Sequence, residues 1–274
     1  MGTLTTSQFK RIADIAYANW GLALTEQKHQ LVASRMTKHL RGSPYQSIEQ
    51  FLDHIENNAS TRDMLEFFDI LSTNVTSFFR ERQHFDYLER EFYTPLAKGN
   101  LTTPGRKIRI WSAACSTGPE PYSLAIHAME NLPDIDSWDF KILGTDLANS
   151  AVAKAKAGTY PADMVENLPK DLVDKYFVRG TGSADGTVTV CDAVKKLVTV
   201  SQLNLMADWP MKGPFDVIFC RNVMIYFDVE TKKKLVSRMS DLLRPGGVLV
   251  VGSAESLSRQ EIQLRTAQPS VYVK

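Results

Sequence analysis

The chain has 274 residues, 43% of them hydrophobic and 23% charged, and 32 basic side chains nearly balance 31 acidic ones to give a formal net charge of +1. These values are typical of a globular protein with one large or two modest domains, and they exclude a global field that would draw the chain to nucleic acid or a membrane surface. Three cysteines without CxxC spacing or a nearby histidine pair argue against a disulfide framework or a metal site and fit a reducing cytosol.

Residues 1–73 predict an all-α N-terminal domain. Four stretches carry apolar residues at helical spacing: 6–24, 25–42, 47–58 and 61–72. Thr25 is predicted to cap the second helix, which ends at Gly42. No apolar run in the chain approaches the roughly 20 residues that span a bilayer, and the opening segment MGTLTTSQFK lacks the apolar core of a signal peptide. A cytoplasmic protein without membrane insertion is therefore expected.

Residues 74–103 predict a connecting segment, in which a non-helical start leads into a long helix and a loop. From residue 104 to 274 the pattern changes to alternating strands and helices. Apolar strand patterns occur at 107–113, 139–147, 196–205, 215–223 and 248–256. Apolar strands separated by helices indicate a parallel sheet covered on both faces, and the C-terminal residues leave room for one antiparallel edge strand.

A β insertion is predicted at about 175–200. The stretch KYFVRGTGSADGTVTVCD alternates in the manner of a strand pair, with Gly180, Gly182 and Gly186 as turn residues. The predicted fold is thus an all-α domain followed by a Rossmann-like α/β sheet with a small antiparallel β insertion.

The loop after the first strand, in RIWSAACSTGPEPYSLAI (109–126), contains the single glycine Gly118. A pyrophosphate-binding loop needs three, so a nicotinamide oxidoreductase is disfavoured. Small side chains leave room for a nucleoside, Glu120 suits a cationic ammonium group, and Asp146 ends the second strand where it can accept hydrogen bonds from a ribose. This combination suits S-adenosylmethionine. The same residues also suit an ordinary strand–loop–helix with Glu120 in the first helical turn.

The stretch LLRPGGVLVVG, residues 242–252, adds a helix, a PGG turn and an apolar strand. This arrangement precedes the last parallel strand of class I S-adenosylmethionine-dependent methyltransferases. It also occurs as a simple turn between a helix and a strand, because Pro and Gly punctuate such turns.

Five motifs resemble the signatures of the chemotaxis receptor glutamate methyltransferases, the CheR family. They are NVTSFFRE (74–81), WSAACSTGPEPYSLA (111–125), ILGTDL (142–147), KYFVRGTG (175–182) and FCRNVMIYFD (219–228). The resemblance spans nearly the whole chain. It implies methyl transfer from S-adenosylmethionine to glutamate side chains of methyl-accepting chemotaxis receptors in bacterial sensory adaptation, with S-adenosylhomocysteine as product and no metal.

The resemblance also implies a set of site residues. Asn74, Thr76 and Arg80 would close over the cofactor, Glu120 would meet its ammonium group and Asp146 its ribose. The remaining cofactor contacts would come from Asn204 and Leu205, which flank the adenine, and from Arg221 and Asn222, which line the floor. Arg80 and Tyr226 would act at the reacting groups. From the residues alone, the MIYF stretch around Tyr226 equally indicates aromatic core packing.

Receptor docking is predicted at two places. Lys28, Arg35, Lys38 and Arg41 lie on one predicted helix, either as a solvated face or as a docking stripe for an acidic receptor bundle. Gly180 and Gly182 lie beside a strand that either binds a receptor C-terminal peptide by strand addition or is purely structural.

Two rival functions remain from the sequence. A small-molecule carboxyl or amine methyltransferase would leave the β insertion and the basic helix without a role. A non-catalytic module that binds S-adenosylmethionine as a signal would tolerate loss of Arg80 or Tyr226, and both residues are present.

Overall fold

The computed structural model describes residues 4–72, 75–101, 103–255, 257 and 263–274. Its helices are α1 Thr6–Trp20, α2 His29–Leu40, α3 Ile48–Asn57, α4 Thr61–Leu71, α5 Gln83–Leu88, α6 Thr94–Ala97, α7 Pro119–Asn131, α8 Asn149–Ala157, α9 Lys170–Tyr176, α10 Asp192–Lys195 and α11 Val229–Leu242. Its strands are β1 Lys107–Ala113, β2 Asp139–Asp146, β3 Thr159–Pro161, β4 Phe177–Arg179, β5 Thr187–Val190, β6 Val198–Gln202, β7 Phe215–Cys220, β8 Leu243–Val251, β9 Arg265–Gln268 and β10 Val271–Val273. Within these ranges every helix is too short or too polar to span a bilayer.

The first four helices form as the sequence predicts, with one correction at α2. A capping box starts α1, in which the Thr5 hydroxyl accepts from the Gln8 N–H and the Gln8 side chain accepts from the Thr5 N–H. Thr25, by contrast, precedes a short 3₁₀ turn, and its side chain makes no capping hydrogen bond. The α-helix therefore begins only at His29.

The connecting segment has the predicted non-helical start followed by a helix. Residues Gln83–Leu88, the π-helical turn Glu89–Tyr93 and Thr94–Ala97 follow one another without a break. Before them, Phe79 and Glu81 adopt positive φ angles of 51° and 57°. This left-handed backbone is unfavourable for non-glycine residues, and such strain concentrates at functional sites.

The central sheet has the order β6-β2-β1-β7-β8-β10-β9, and its first five strands run parallel. This confirms the predicted methyltransferase-type sheet. The expected single antiparallel edge strand is a pair, because β10 runs antiparallel to β8 and β9 antiparallel to β10. The PGG turn lies inside β8: Phe215 pairs with Leu243 and Val217 with Val248, so the residues between form a bulge.

The predicted β insertion is a separate three-stranded antiparallel sheet of order β3-β5-β4. The β4–β5 pair matches the predicted hairpin, whereas β3 was not predicted, because it is short, ends in a proline and directly follows Gly158 at the end of α8. Gly180 is required for close packing, since a Cβ there would collide with the Ala184 carbonyl oxygen. The strand β4 lies at the edge of this sheet.

Two apolar cores lie on the two faces of the central sheet. One includes Phe85, Phe140 and Phe219, and the other joins α1–α4 to the sheet through Trp20, Trp111 and their neighbours. The N-terminal helices are thus part of the core that supports the sheet. Polar contacts hold them over its carboxyl end, since the Ala23 N–H donates to the Tyr226 carbonyl at 2.8 Å and the Tyr17 hydroxyl to Asp228 at 2.6 Å.

Candidate functional site

A cavity of about 290 Å³ lies between the N-terminal helices and the carboxyl ends of the parallel strands. This is where ligands bind in open α/β sheets. The cavity lining brings together predicted site residues that are far apart in the sequence: Thr76, Arg80, Glu120, Asp146, Asn204, Leu205, Arg221, Asn222 and Tyr226. Asn74 lies outside the described residues.

The single glycine of the first loop has a packing role. Gly118 adopts φ 98°, and a Cβ there would lie 2.8 Å from the Cβ of Ala155 on α8. The loop residues Ala114 and Ser116 also have positive φ, and both line the cavity. The loop is therefore compact and small-sided, with its glycine turned to α8 and no pyrophosphate cradle of the three-glycine type.

Asp146 is buried at the end of β2, where it accepts two backbone hydrogen bonds. Its Oδ2 accepts from the Ser116 N–H at 2.8 Å and its Oδ1 from the Ala148 N–H at 2.9 Å. Burial raises the pKa of this carboxyl group, and the backbone donors oppose the rise. Each oxygen keeps a further lone pair, so the fixed carboxylate can accept hydrogen bonds from a vicinal diol.

A buried charge network forms the floor of the cavity. Arg221 donates from Nη1 to Glu120 at 3.0 Å and from Nη2 to Glu81 at 2.9 Å, and Nη2 also reaches the Arg80 carbonyl at 2.5 Å. Its side chain is only 1% exposed. Within this network two carboxyl groups face one guanidinium, so acidic groups outnumber basic ones. The floor therefore favours a cationic ligand group over a phosphate.

The pKa values of the two carboxyl groups in this network are shifted in opposite directions. Burial raises the pKa of Glu120, while Arg221 and the Ser112 hydroxyl counteract it. Burial also opposes ionisation of Glu81, but Arg221 and Asn222 outweigh it and lower the pKa below its usual value. Glu81 was not identified from the sequence, although it directly follows Arg80 in the FFRE motif.

Arg80 and Tyr226 both face the cavity as half-buried side chains. Arg80 donates from Nη1 to the Val75 carbonyl at 3.1 Å. Tyr226 ends a 3₁₀ turn and packs against the apolar core while one side lines the cavity. The ring thus takes part in core packing and also reaches the site, and its catalytic role stays a prediction.

The Asn204 side chain ties the site to the N-terminal helices. Its Nδ2 donates to the Asn19 carbonyl at 3.1 Å, and its Oδ1 accepts from the Met206 N–H at 2.9 Å. The neighbouring Leu205 is buried. Both residues line the cavity, and the predicted contact with adenine remains a prediction.

The mouth of the cavity is apolar and exposed. Leu31 is 41%, Val75 is 75% and Ile225 is 51% exposed, and all three line the cavity together with Lys28. Exposed apolar side chains grouped around a cleft indicate a surface that contacts another molecule.

The other predicted docking residues lie apart from the cavity lining. Lys38 and Arg41 are exposed along and just after α2. Arg35 instead points inward and donates to the carbonyl oxygens of Leu71 at 2.6 Å and Ser72 at 2.7 Å, where α4 ends. It therefore has a structural role as a cap of α4, whatever it contributes to docking. Gly180 and Gly182 follow the edge strand β4.

Cys115 lines the cavity but is not an activated nucleophile. Burial, followed by nearby Asp146, raises the pKa of the Cys115 thiol well above its ordinary value, so it is a poor nucleophile. No group of three His, Cys, Asp or Glu side chains within the described ranges is arranged to hold a metal ion.

Comparison with known proteins identifies close relatives. The family model "CheR methyltransferase, SAM binding domain" matches residues 74–273. Chemotaxis protein methyltransferase 2 of Pseudomonas aeruginosa is 38% identical over 98% of this chain and 93% of its own. A probable chemotaxis protein methyltransferase of Rhizobium etli is 40% identical over 88% of this chain and 90% of its own, and the Escherichia coli chemotaxis protein methyltransferase is 34% identical over 98% and 91%.

Proposed function

The chain belongs to the CheR methyltransferase family, and on that premise we infer that it transfers a methyl group from S-adenosylmethionine to glutamate side chains of chemotaxis receptors. The observation that carries this inference is that Asp146, the Glu120–Arg221 pair, Arg80 and Tyr226 line one and the same cavity. The protein is a methyltransferase enzyme, and its product is a γ-glutamyl methyl ester on a receptor.

The residues of the cavity fit S-adenosylmethionine. Asp146 offers acceptor lone pairs to the ribose hydroxyls, and the excess of acidic groups around Glu120 suits the ammonium group of the methionine part. Thr76 and Arg80 would close the site from the connecting segment, as would Asn74. Leu205 and Asn204 would flank the adenine, and Asn222 would complete the floor beside Arg221. When bound, the cofactor supplies a sulfonium methyl group that a carboxylate oxygen can accept.

The protein needs no general base for this reaction. A glutamate carboxylate has an ordinary pKa of about 4.3 and is ionised at neutral pH. Its nucleophilicity is limited by its water shell and by random orientation, so the enzyme contributes alignment and exclusion of water, and alignment accounts for roughly 7–11 kcal/mol at most. We assign alignment to the Arg80 guanidinium and the Tyr226 hydroxyl, because both side chains face the cavity.

A protein substrate fits the mouth better than a small molecule does. Leu31, Val75 and Ile225 would remain in water around a bound small molecule, whereas a receptor surface would cover them. Lys28 at the same mouth, with Lys38 and Arg41 farther along, presents positive charge to the acidic helical bundle expected of a receptor.

The edge strand β4 is the proposed site of a receptor C-terminal tether. One side of β4 pairs with β5, and Val178 on it is 60% exposed. An extended peptide could add to the other side of β4, whose end is followed by Gly180 and Gly182. This binding would hold the receptor near the cavity and raise its local concentration.

We also propose a domain organisation for the chain and a cytoplasmic location. Residues 1–73 would serve as the receptor-facing helical domain, 74–103 as the connecting helix and linker, and 104–274 as the methyltransferase domain. Cys115, Cys191 and Cys220 are free thiols, which fits a cytoplasmic location.

The test is methyl transfer from tritiated S-adenosylmethionine to purified candidate receptors. The expected result is base-labile methyl ester on receptor glutamates, lost when those glutamates are replaced by alanine. A receptor-independent label on small carboxylic acids would favour the small-molecule methyltransferase instead. Cofactor binding without transfer to any receptor would favour a sensing module.

A further inference from the structure

Glu255 follows the last parallel strand and is 6% exposed. Its carboxylate accepts three backbone hydrogen bonds from two loops. Oε2 accepts from the Asn222 N–H at 2.7 Å and from the Gly252 N–H at 2.7 Å, and Oε1 accepts from the Ile225 N–H at 3.1 Å. A buried carboxylate with several backbone donors is strongly fixed in place.

The fixed carboxylate lies directly behind the cavity wall. Asn222, Ile225 and Tyr226 line the cavity, and all three belong to the loop and turn 221–226 that follow β7. Asn222 has φ 59°, a left-handed backbone that asparagine adopts more readily than most other non-glycine residues. Glu255 and Asn222 pack so closely against Gly252 that no side chain would fit there. A Cβ would lie 2.6 Å from the Glu255 carboxylate and 2.7 Å from Asn222 Nδ2.

A second carboxylate bridges the same two loops from the connecting segment. Glu81 accepts from the Ser253 N–H at 3.2 Å and from Asn222 Nδ2 at 3.4 Å, in addition to its pairing with Arg221. Glu81 therefore already holds Asn222 and the start of the turn after β8. The Ile225 N–H, which leads to Tyr226, is bound by Glu255.

We propose that Glu255 is a positioning residue for methyl transfer, which holds the 222–226 turn so that Tyr226 faces the reacting groups. It acts through backbone N–H groups and does not itself line the cavity. Its effect on catalysis rests on the proposed function, whereas its effect on the turn does not.

The two oxygens of Glu255 allow a graded test. In Glu255→Gln the amide oxygen can keep the bonds to Asn222 and Gly252, but the NH₂ group would face the Ile225 N–H as donor against donor. Glu255→Ala removes all three acceptors. Asp216→Asn is the control for the loss of a buried carboxylate, because Asp216 accepts the Arg109 N–H at 2.6 Å and pairs with Arg244 at 2.6 Å, at the opposite end of the sheet.

The first readout is amide hydrogen exchange in the ligand-free protein, resolved by NMR. In Glu255→Gln, exchange at Ile225 should accelerate about 10-fold while Asn222 and Gly252 stay protected; in Glu255→Ala all three should accelerate. The Asp216 control should leave them unchanged. Unchanged exchange at Ile225 in a folded Glu255→Gln protein would overturn the proposed hold on the turn.

The second readout is kinetic, on protein whose folded fraction is set by thermal unfolding and calorimetric cofactor binding. In Glu255→Gln, kcat for receptor methylation should fall about 10–100-fold, the scale of a displaced reacting geometry, with cofactor affinity kept within about two-fold. Accelerated exchange at Ile225 with wild-type kcat would reduce Glu255 to a structural residue. Absence of methylation in the wild-type protein as well would instead count against the proposed function.

Discussion

Arginine serves opposite purposes in the cavity floor and on the α2 surface. Arg221 is 1% exposed and lies between Glu120 and Glu81, where its charge interacts strongly and its loss would leave two partly buried carboxylates without their cation. Arg41 is exposed at the end of α2, where water and salt weaken its charge. Charges in the floor therefore decide which small ligand is bound, whereas charges on the surface act mainly on the encounter with a large partner.

Removal of Arg221 should have the largest effect. Arg221→Ala leaves Glu120 and Glu81 without their shared cation, and breaking a buried ion pair in this way costs about 3–5 kcal/mol of unfolding free energy. Urea unfolding should show this loss, and Arg41→Ala should stay within about 0.5 kcal/mol of wild type. Adding Glu81→Gln should restore part of the loss. An Arg221→Ala protein as stable as wild type would show that the floor network is not tightly coupled.

Asp146→Ala should weaken cofactor binding by about 1.5–3 kcal/mol, the worth of hydrogen bonds to a charged group. The exposed Asp139→Ala, at the opposite end of β2, is the matched control and should leave affinity unchanged. Isothermal titration calorimetry with S-adenosylmethionine measures both. Equal affinities in folded proteins would remove Asp146 from the cofactor site.

Cofactor affinity should also fall on acidification, and earlier than ordinary carboxyl groups would predict. The pKa values of Glu120 and Asp146 are both raised by burial, so protonation begins above the ordinary range near 4–4.5 and removes the negative charge that binds the cation and the ribose. A raised carboxyl pKa means that folding favours the protonated form, so these two groups reduce stability as pH rises from the unfolded to the folded pKa. Cofactor binding and the contribution of these two groups to stability should thus change in opposite directions through this window.

The matched variant for this pH effect is Glu120→Gln. Its affinity for S-adenosylmethionine should be lower at neutral pH and less dependent on pH between about 4 and 7, because one of the two titrating carboxylates is gone. Calorimetry across that pH range measures the affinity of both proteins for S-adenosylmethionine. A wild-type affinity that is flat over the whole range would contradict the assigned role of both carboxylates.

Features that depend on residues close in sequence could be predicted, whereas features that depend on contacts between distant residues could not. Most strands and helices and the loop after β1 could be predicted because each depends on neighbouring residues, whereas the short β3 and the second edge strand could not. Glu81 and Glu255 could not, because their roles arise from contacts with Ser253 and Asn222, 172 and 33 residues away. Arg35 was predicted to lie on the docking surface, but it points inward and caps α4. A charged helical residue near exposed lysines gives no sign of such a contact in the sequence.

The inward position of Arg35 determines how the α2 surface is best tested. Reversing Arg35 would disturb α4 as well as any docking, so the informative variant is the exposed pair Lys38→Glu and Arg41→Glu. If this surface attracts an acidic receptor, receptor methylation should fall about 10-fold at low salt, mainly through slower association. Cofactor affinity should not change, because neither residue lines the cavity.

The salt dependence of receptor methylation distinguishes a docking surface on α2 from a merely solvated one. Wild-type methylation should decline as ionic strength rises past about 0.15 M, where the Debye length is near 8 Å, and the double variant should show a flatter curve. Lys107→Glu with Lys141→Glu makes the same charge change on exposed residues of β1 and β2 and controls for net charge. Because steering depends on where the charge lies, this control should retain the wild-type salt curve. If the two double variants behave alike, the α2 charges form only a solvated face, and receptor selection rests on the apolar mouth around Leu31, Val75 and Ile225.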